Sequence, residues 1–148
     1  MSGKNFKRVR DKFGRSKIRI KKPPKTLRQW LTSQLRRISM RWPPKHEVLN
    51  AAKVWVDIGE FKNGNTKMGL FFTCAECTRQ GLTTLHPKSN IQVDHITEIA
   101  GLDGFTDWDT YINALFCEAD KLQVLCLDHH KEKTNKYVKK LDKVRKRD

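Results

Sequence analysis

The chain has 148 residues, of which 37% are apolar and 32% charged, with a formal net charge of +15. That length holds one domain plus an arm, and so low an apolar fraction limits it to one small core, which usually needs disulfides or a metal as a staple. No apolar run approaches membrane-spanning length, and the basic N-terminus lacks the apolar stretch of a secretory signal. Membrane and secreted classes are therefore disfavoured, and an intracellular, cytoplasmic setting with reduced thiols is expected.

Charge is unevenly spread. Residues 1–45 hold 16 Lys/Arg against one acid, Asp11; residues 46–130 hold 6 basic and 12 acidic residues; residues 131–148 hold 9 basic and 3 acidic. An acidic centre thus sits between two cationic arms. Such arms supply phosphate affinity while the centre can hold a metal. The plainer reading is a solubilising tail that sticks to any polyanion.

In chain order, residues 1–25 form a basic, polar run that is expected to lack stable structure without a partner. Residues 26–58 are expected to be a helical extension. Thr26 is a plausible N-cap, followed by Leu27, Trp30, Leu31, Leu35 and Ile38 at helical spacing, with Arg28, Arg36 and Arg37 between them. Pro43-Pro44 stops that helix, and a second is expected over about 45–56. Residues 59–67 read as a turn-rich loop, which opens a domain over 59–148. Leu70–Thr73 and the alternating Ile91–Asp94 read as strands, and Leu122–Leu125 as another short one. A helix is expected over 107–116, capped by Thr106, and a basic C-terminal helix from about Asp128. The class is α+β.

Cys74-x2-Cys77 and Cys126-x2-His129 share one internal spacing, with 48 residues between Cys77 and Cys126. Zinc takes four such ligands in a tetrahedron, and two short turns of this kind supply them. The second pair could close on His130 instead of His129. At the start of a helix, adjacent residues diverge by about 100°, so the two histidines cannot easily serve one ion. Cys117, flanked by Leu115 and Phe116, reads as core rather than ligand. A redox role for Cys74-x2-Cys77 is weakest, because no βαβ pattern surrounds it. Asp94-His95 follows a strand; its carboxylate suits Mg²⁺ or Mn²⁺, and its imidazole can bind metal or act as a base. Alone, such a pair is more often a turn residue and a satisfied histidine.

Taken together, Cys74-x2-Cys77, Val93-Asp94-His95-Ile96 and Leu122-Gln123-Val124-Leu125-Cys126-x2-His129-His130-x2-Lys133-Thr134 resemble the zinc-containing HNH endonucleases, most closely the small ones of bacteriophage genomes. The resemblance covers about residues 69–136. It implies a ββα-metal domain stapled by a zinc knuckle of Cys74, Cys77, Cys126 and His129. It further implies a catalytic Mg²⁺ or Mn²⁺ on Asp94 and His130, His95 as general base, and hydrolysis of DNA phosphodiesters. A phage-infected host would be the setting, with homing, packaging and host-DNA degradation all open.

Two positions depart from the family pattern. His129 stands where a second cysteine is usual, and Lys121 where the middle Asn precedes Leu-Gln. Lysine cannot copy an amide's paired hydrogen bonds, so another group must brace the loop, or activity falls. Duplex phosphates are expected to meet Arg8, Arg10, Arg15, Lys17, Arg19, Lys21, Lys22, Arg36, Arg37 and Lys121. A homodimer would make double-strand breaks and a monomer nicks. The rival expectations are a non-catalytic, zinc-stabilised nucleic-acid-binding module and a host-interaction protein.

Overall fold

The computed structural model describes residues 6–10, 16–20 and 24–145, with side chains over 24–144. Met1–Gln34 and Leu35–Asp148 form separate compact units. Among the described residues the class is α+β, with five α-helices and three small antiparallel sheets. No helix among them is long and apolar enough to cross a membrane.

In the first unit, β1 (Phe6–Arg10) pairs antiparallel with β2 (Ser16–Ile20), with Phe6 opposite Ile20 and Arg10 opposite Ser16. These strands lie within the stretch expected to lack stable structure without a partner; residues 1–5, 11–15 and 21–23 lie outside the described residues. Lys17-Ile18-Arg19-Ile20 alternates with the period of a strand, a signal that the density of charge hides. Helix α1 (Leu27–Ser39) begins in this unit. It opens on a capping box: the Thr26 hydroxyl accepts from the Gln29 amide at 3.2 Å, and the Gln29 side chain accepts from the Thr26 amide at 3.0 Å.

The second unit departs from expectation first at Pro43-Pro44. Helix α1 ends before them, but the prolines open α2 (Pro43–Ala51) rather than only stopping α1. At the first helical position a missing N–H costs nothing. Helix α2 ends at Ala51, and β3 (Lys53–Glu60) follows where helix was expected to continue. Strand β4 (Thr66–Thr73) supplies the reason. It pairs along Val54-Trp55-Val56, setting Val54 opposite Phe71 and Trp55 opposite Leu70. Branched and aromatic residues fit that pleated surface. The loop expected over 59–67 shrinks to a hairpin turn, with the Phe61 amide donating to Asn65 O at 2.8 Å and Gly64 at φ +81°. Strand β3 therefore crosses the boundary expected at 58/59, and the helical extension over 26–58 is only partly helix.

Helix α3 (Ala75–Arg79) follows β4, and β5 (Leu85–His86) pairs on β4's other side, so the order is β3-β4-β5. Strands β6 (Ile91–His95) and β7 (Leu122–Cys126) form a separate antiparallel pair, with Asp94 opposite Gln123 and His95 opposite Leu122. Between them lies α4 (Trp108–Leu115). Its cap is Asp107, not Thr106: one Asp107 oxygen accepts from the Thr110 amide at 2.8 Å and the other from its hydroxyl at 2.7 Å. Strand β7 runs straight into α5 (Leu127–Arg145).

Phe72, Ile91 and Val124 form one buried cluster, covered by Val48, Leu49 and Ala52 from and just after α2. A second consists of Cys74, Cys77, Leu125 and Cys126. Three of these seven buried residues are cysteines. A core so thin in hydrocarbon has little hydrophobic stabilisation to spare, which is why what binds those thiols matters to the fold.

Candidate metal centre and the Asp94–His95 strand end

Cys74 occupies the extended residue that caps α3, and Cys77 lies within that helix. Cys126 ends β7, and His129 falls in the first turn of α5. Two strand-to-helix turns therefore aim four donor atoms at one point, all within 4.8 Å of one another. His129 Nδ1 lies 3.4 Å from Cys74 Sγ, 3.5 Å from Cys77 Sγ and 3.2 Å from Cys126 Sγ. Zinc bonds of about 2.3 Å to sulfur and about 2.0–2.1 Å to nitrogen, at tetrahedral angles, separate the two donors by about 3.6 Å. The four residues fit a tetrahedral metal ion by both chemistry and spacing.

Their electrostatics agree. Burial pushes the Cys74 thiol up, but the Cys77 and Cys126 amides and the His129 ring outweigh it and hold the thiol down to about 6. Burial, with Cys74 alongside, pushes Cys77 up to about 12. Thiolates this close repel one another, so Cys77 resists ionising beside Cys74 without a cation between them. A bound divalent ion removes the conflict.

His130 is absent from this cluster, as the divergence of adjacent helical residues requires. Cys117 is also outside it and buried, its thiol pushed up by burial. His86 is a residue that sequence reasoning missed. It is buried, with Nε2 3.5 Å from Cys77 Sγ and Nδ1 3.2 Å from the Asn90 amide nitrogen. Asn90 donating to Nδ1 leaves the ring proton on Nε2, directed at the sulfur.

At the end of β6, Asp94 Oδ1 lies 3.7 Å from His130 Nε2. Its other oxygen, Oδ2, accepts from Lys133 Nζ at 2.6 Å, and the same ammonium donates to the His95 carbonyl. Glu98 Oε1 is 3.7 Å from it. Lys133 was given no role from sequence; its spacing one helical turn after His130 is the signal that could have found it.

His95 takes the next strand position, which addresses the opposite face. It is buried, and its Nε2 lies 3.1 Å from the Leu115 carbonyl. Donation to that carbonyl puts the ring proton on Nε2 and leaves a lone pair on Nδ1. Burial pushes its pKa down; Lys45 and Lys133 push the same way, while the Leu115 carbonyl and Asp94 oppose. Lys45 is itself buried, donates to Ser39 Oγ at 3.4 Å, and is lowered by burial. Nothing in its sequence context separates it from the many surface lysines. His95 lines a cavity of about 290 Å³ together with Glu98, Asn113, Cys117 and Lys121.

The Lys121 side chain is exposed, and its backbone carbonyl accepts from the Ile96 amide at 2.9 Å. The residue after His95 is thus held by the main chain, at the position where the family pattern has Asn. Arg36 donates to the Tyr111 hydroxyl at 3.1 Å, so part of its hydrogen-bonding capacity is structural, while Arg37 is exposed. Arg8, Arg10, Lys17 and Arg19 lie on β1 and β2, their side chains outside the described residues. Arg15, Lys21 and Lys22 lie wholly outside them.

No family model, no curated protein and no solved structure matches this chain.

Proposed function

We propose that the chain is a metal-dependent DNA endonuclease of the HNH type, with zinc on Cys74, Cys77, Cys126 and His129. The observation that carries this reading is Asp94 Oδ1 facing His130 Nε2 at 3.7 Å beside a buried His95 tied to a carbonyl. The order β6, β7, α5 is what a ββα-metal domain requires, and it supports the assignment. A divalent ion on Asp94 and His130 would polarise the scissile phosphate and stabilise the leaving oxygen.

The protein's own residues do the rest. Leu115 O fixes the His95 tautomer, so Nδ1 is the atom that takes a proton from the attacking water. Burial favours the neutral ring, the state that a base needs. The basic segments bring duplex phosphates to the site without reading sequence.

The test uses supercoiled plasmid and zinc-loaded protein with Mg²⁺, Mn²⁺ or EDTA. Nicking should need the added ion and vanish in His95→Ala, while zinc content and DNA binding persist. Full cleavage by that variant would rule out the general-base role.

One observation favours a second reading. The Lys133 ammonium already neutralises Asp94, as it would in a non-catalytic, zinc-stabilised nucleic-acid-binding module. Metal-independent DNA binding with no nicking at any Mn²⁺ concentration would decide for that module.

A further inference from the structure

Asp94 divides its two oxygens between two residues of one helix. Oδ2 is taken by Lys133 Nζ at 2.6 Å, and Oδ1 faces His130 Nε2 at 3.7 Å. Lys133 and His130 sit three residues apart on α5, so they address the same side of it. The ammonium is anchored twice on β6, by the Asp94 carboxylate and by the His95 carbonyl. Its side chain is 25% exposed, so solvent competes weakly for these bonds.

A carboxylate held this way has one oxygen left for an ion. Mg²⁺ and Mn²⁺ are content with that. Mg²⁺ is octahedral at about 2.0–2.1 Å, keeps several waters and binds through one or two carboxylates. Ca²⁺ is different, taking six to eight oxygens at about 2.3–2.6 Å, often two from one carboxylate. For Asp94 to give both oxygens, Lys133 would have to leave Oδ2.

We propose that Lys133 is a specificity-determining residue that confines Asp94 to single-oxygen binding and so disfavours Ca²⁺ relative to Mg²⁺ and Mn²⁺. This rests on the reading of Asp94 and His130 as a divalent-ion site. The charge of Lys133 weakens every cation there. The occupied oxygen weakens Ca²⁺ selectively. A plain tether between α5 and β6 would do neither selectively, so the ratio of affinities separates the roles.

The experiment titrates Mn²⁺ into the zinc-loaded full-length chain, followed by electron paramagnetic resonance of free Mn²⁺, with Ca²⁺ as competitor. The wild type should show a Mn²⁺ site that is lost in Asp94→Asn and resists displacement by Ca²⁺. In Lys133→Met, Ca²⁺ should displace Mn²⁺ at a concentration lower by roughly tenfold relative to the Mn²⁺ affinity of the same variant. Lys133→Gln takes its place if the Met variant loses zinc. An unchanged Ca²⁺-to-Mn²⁺ ratio in a variant that keeps Asp94-dependent Mn²⁺ binding overturns the role of Lys133 and leaves the endonuclease reading standing. Absence of Asp94-dependent Mn²⁺ binding in the wild type overturns the ion site itself, and this inference with it.

Discussion

His86 Nε2 lies 3.5 Å from the Cys77 sulfur, with Asn90 held against the other ring nitrogen. A donor on a ligating thiolate spreads its negative charge and fixes its direction, and outer partners of this kind typically change metal affinity by about 10–100-fold. His86→Ala should therefore keep the ligand set but release zinc to a chelator about 10–100-fold faster. Zinc release equal to wild type would show that His86 only fills space.

Chelation tests the staple more directly. With so little hydrocarbon in the core, removal of the ion should unfold the second unit, seen as loss of helical circular dichroism with EDTA and recovery with Zn²⁺. Cys74→Ser should mimic chelation. Cys117→Ala should bind one zinc per chain, because Cys117 is outside the cluster. A stable, zinc-loaded Cys74→Ser protein would contradict the assignment.

His95 predicts a pH dependence of known sign. Burial lowers its pKa in the folded protein below the ordinary 6.5. As pH falls through 6.5 the unfolded chain takes up the proton first, so the His95 contribution to stability shrinks until the lower folded value is reached, then levels. Wild type should lose more melting temperature between pH 7 and pH 5 than His95→Gln. Nicking should persist to lower pH than an ordinary histidine base allows, and His95→Ala should reduce it by about 10²–10⁴-fold.

DNA binding by the basic segments should fall steeply with salt. Contact with about six to ten phosphates implies a loss of about 10³–10⁵ in affinity between 50 and 200 mM salt. Deleting residues 1–25 should flatten the slope of log affinity against log salt and leave zinc content unchanged. An unchanged slope would place the phosphate contacts elsewhere.

The metal ligands were legible because each pair lies within one turn, where spacing alone fixes geometry. The angle between adjacent helical residues meant that only one of His129 and His130 could join them; the resemblance implied His129, and the donor distances agree. Strand β3 was missed because Val48, Ala51, Ala52 and Trp55 also fit a helical face; only the partner β4, more than ten residues on, decides for sheet. His86, Lys45 and Lys133 were silent for a similar reason. Their roles depend on partners brought near by the fold, not on neighbours in sequence, and two of them are lysines in a chain full of lysines.

The junction of β7 and α5 carries Cys126, His129, His130 and Lys133 within eight residues. During synthesis Cys74, Cys77, Asp94 and His95 leave the ribosome first and wait for this segment. Until it emerges Cys74 and Cys77 lack two of the four ligands, and Asp94 has neither its histidine nor its lysine. Closing the zinc cluster and completing the strand-end site are then one event. A nascent chain, or a full one starved of zinc, carries the parts of both sites without their assembly.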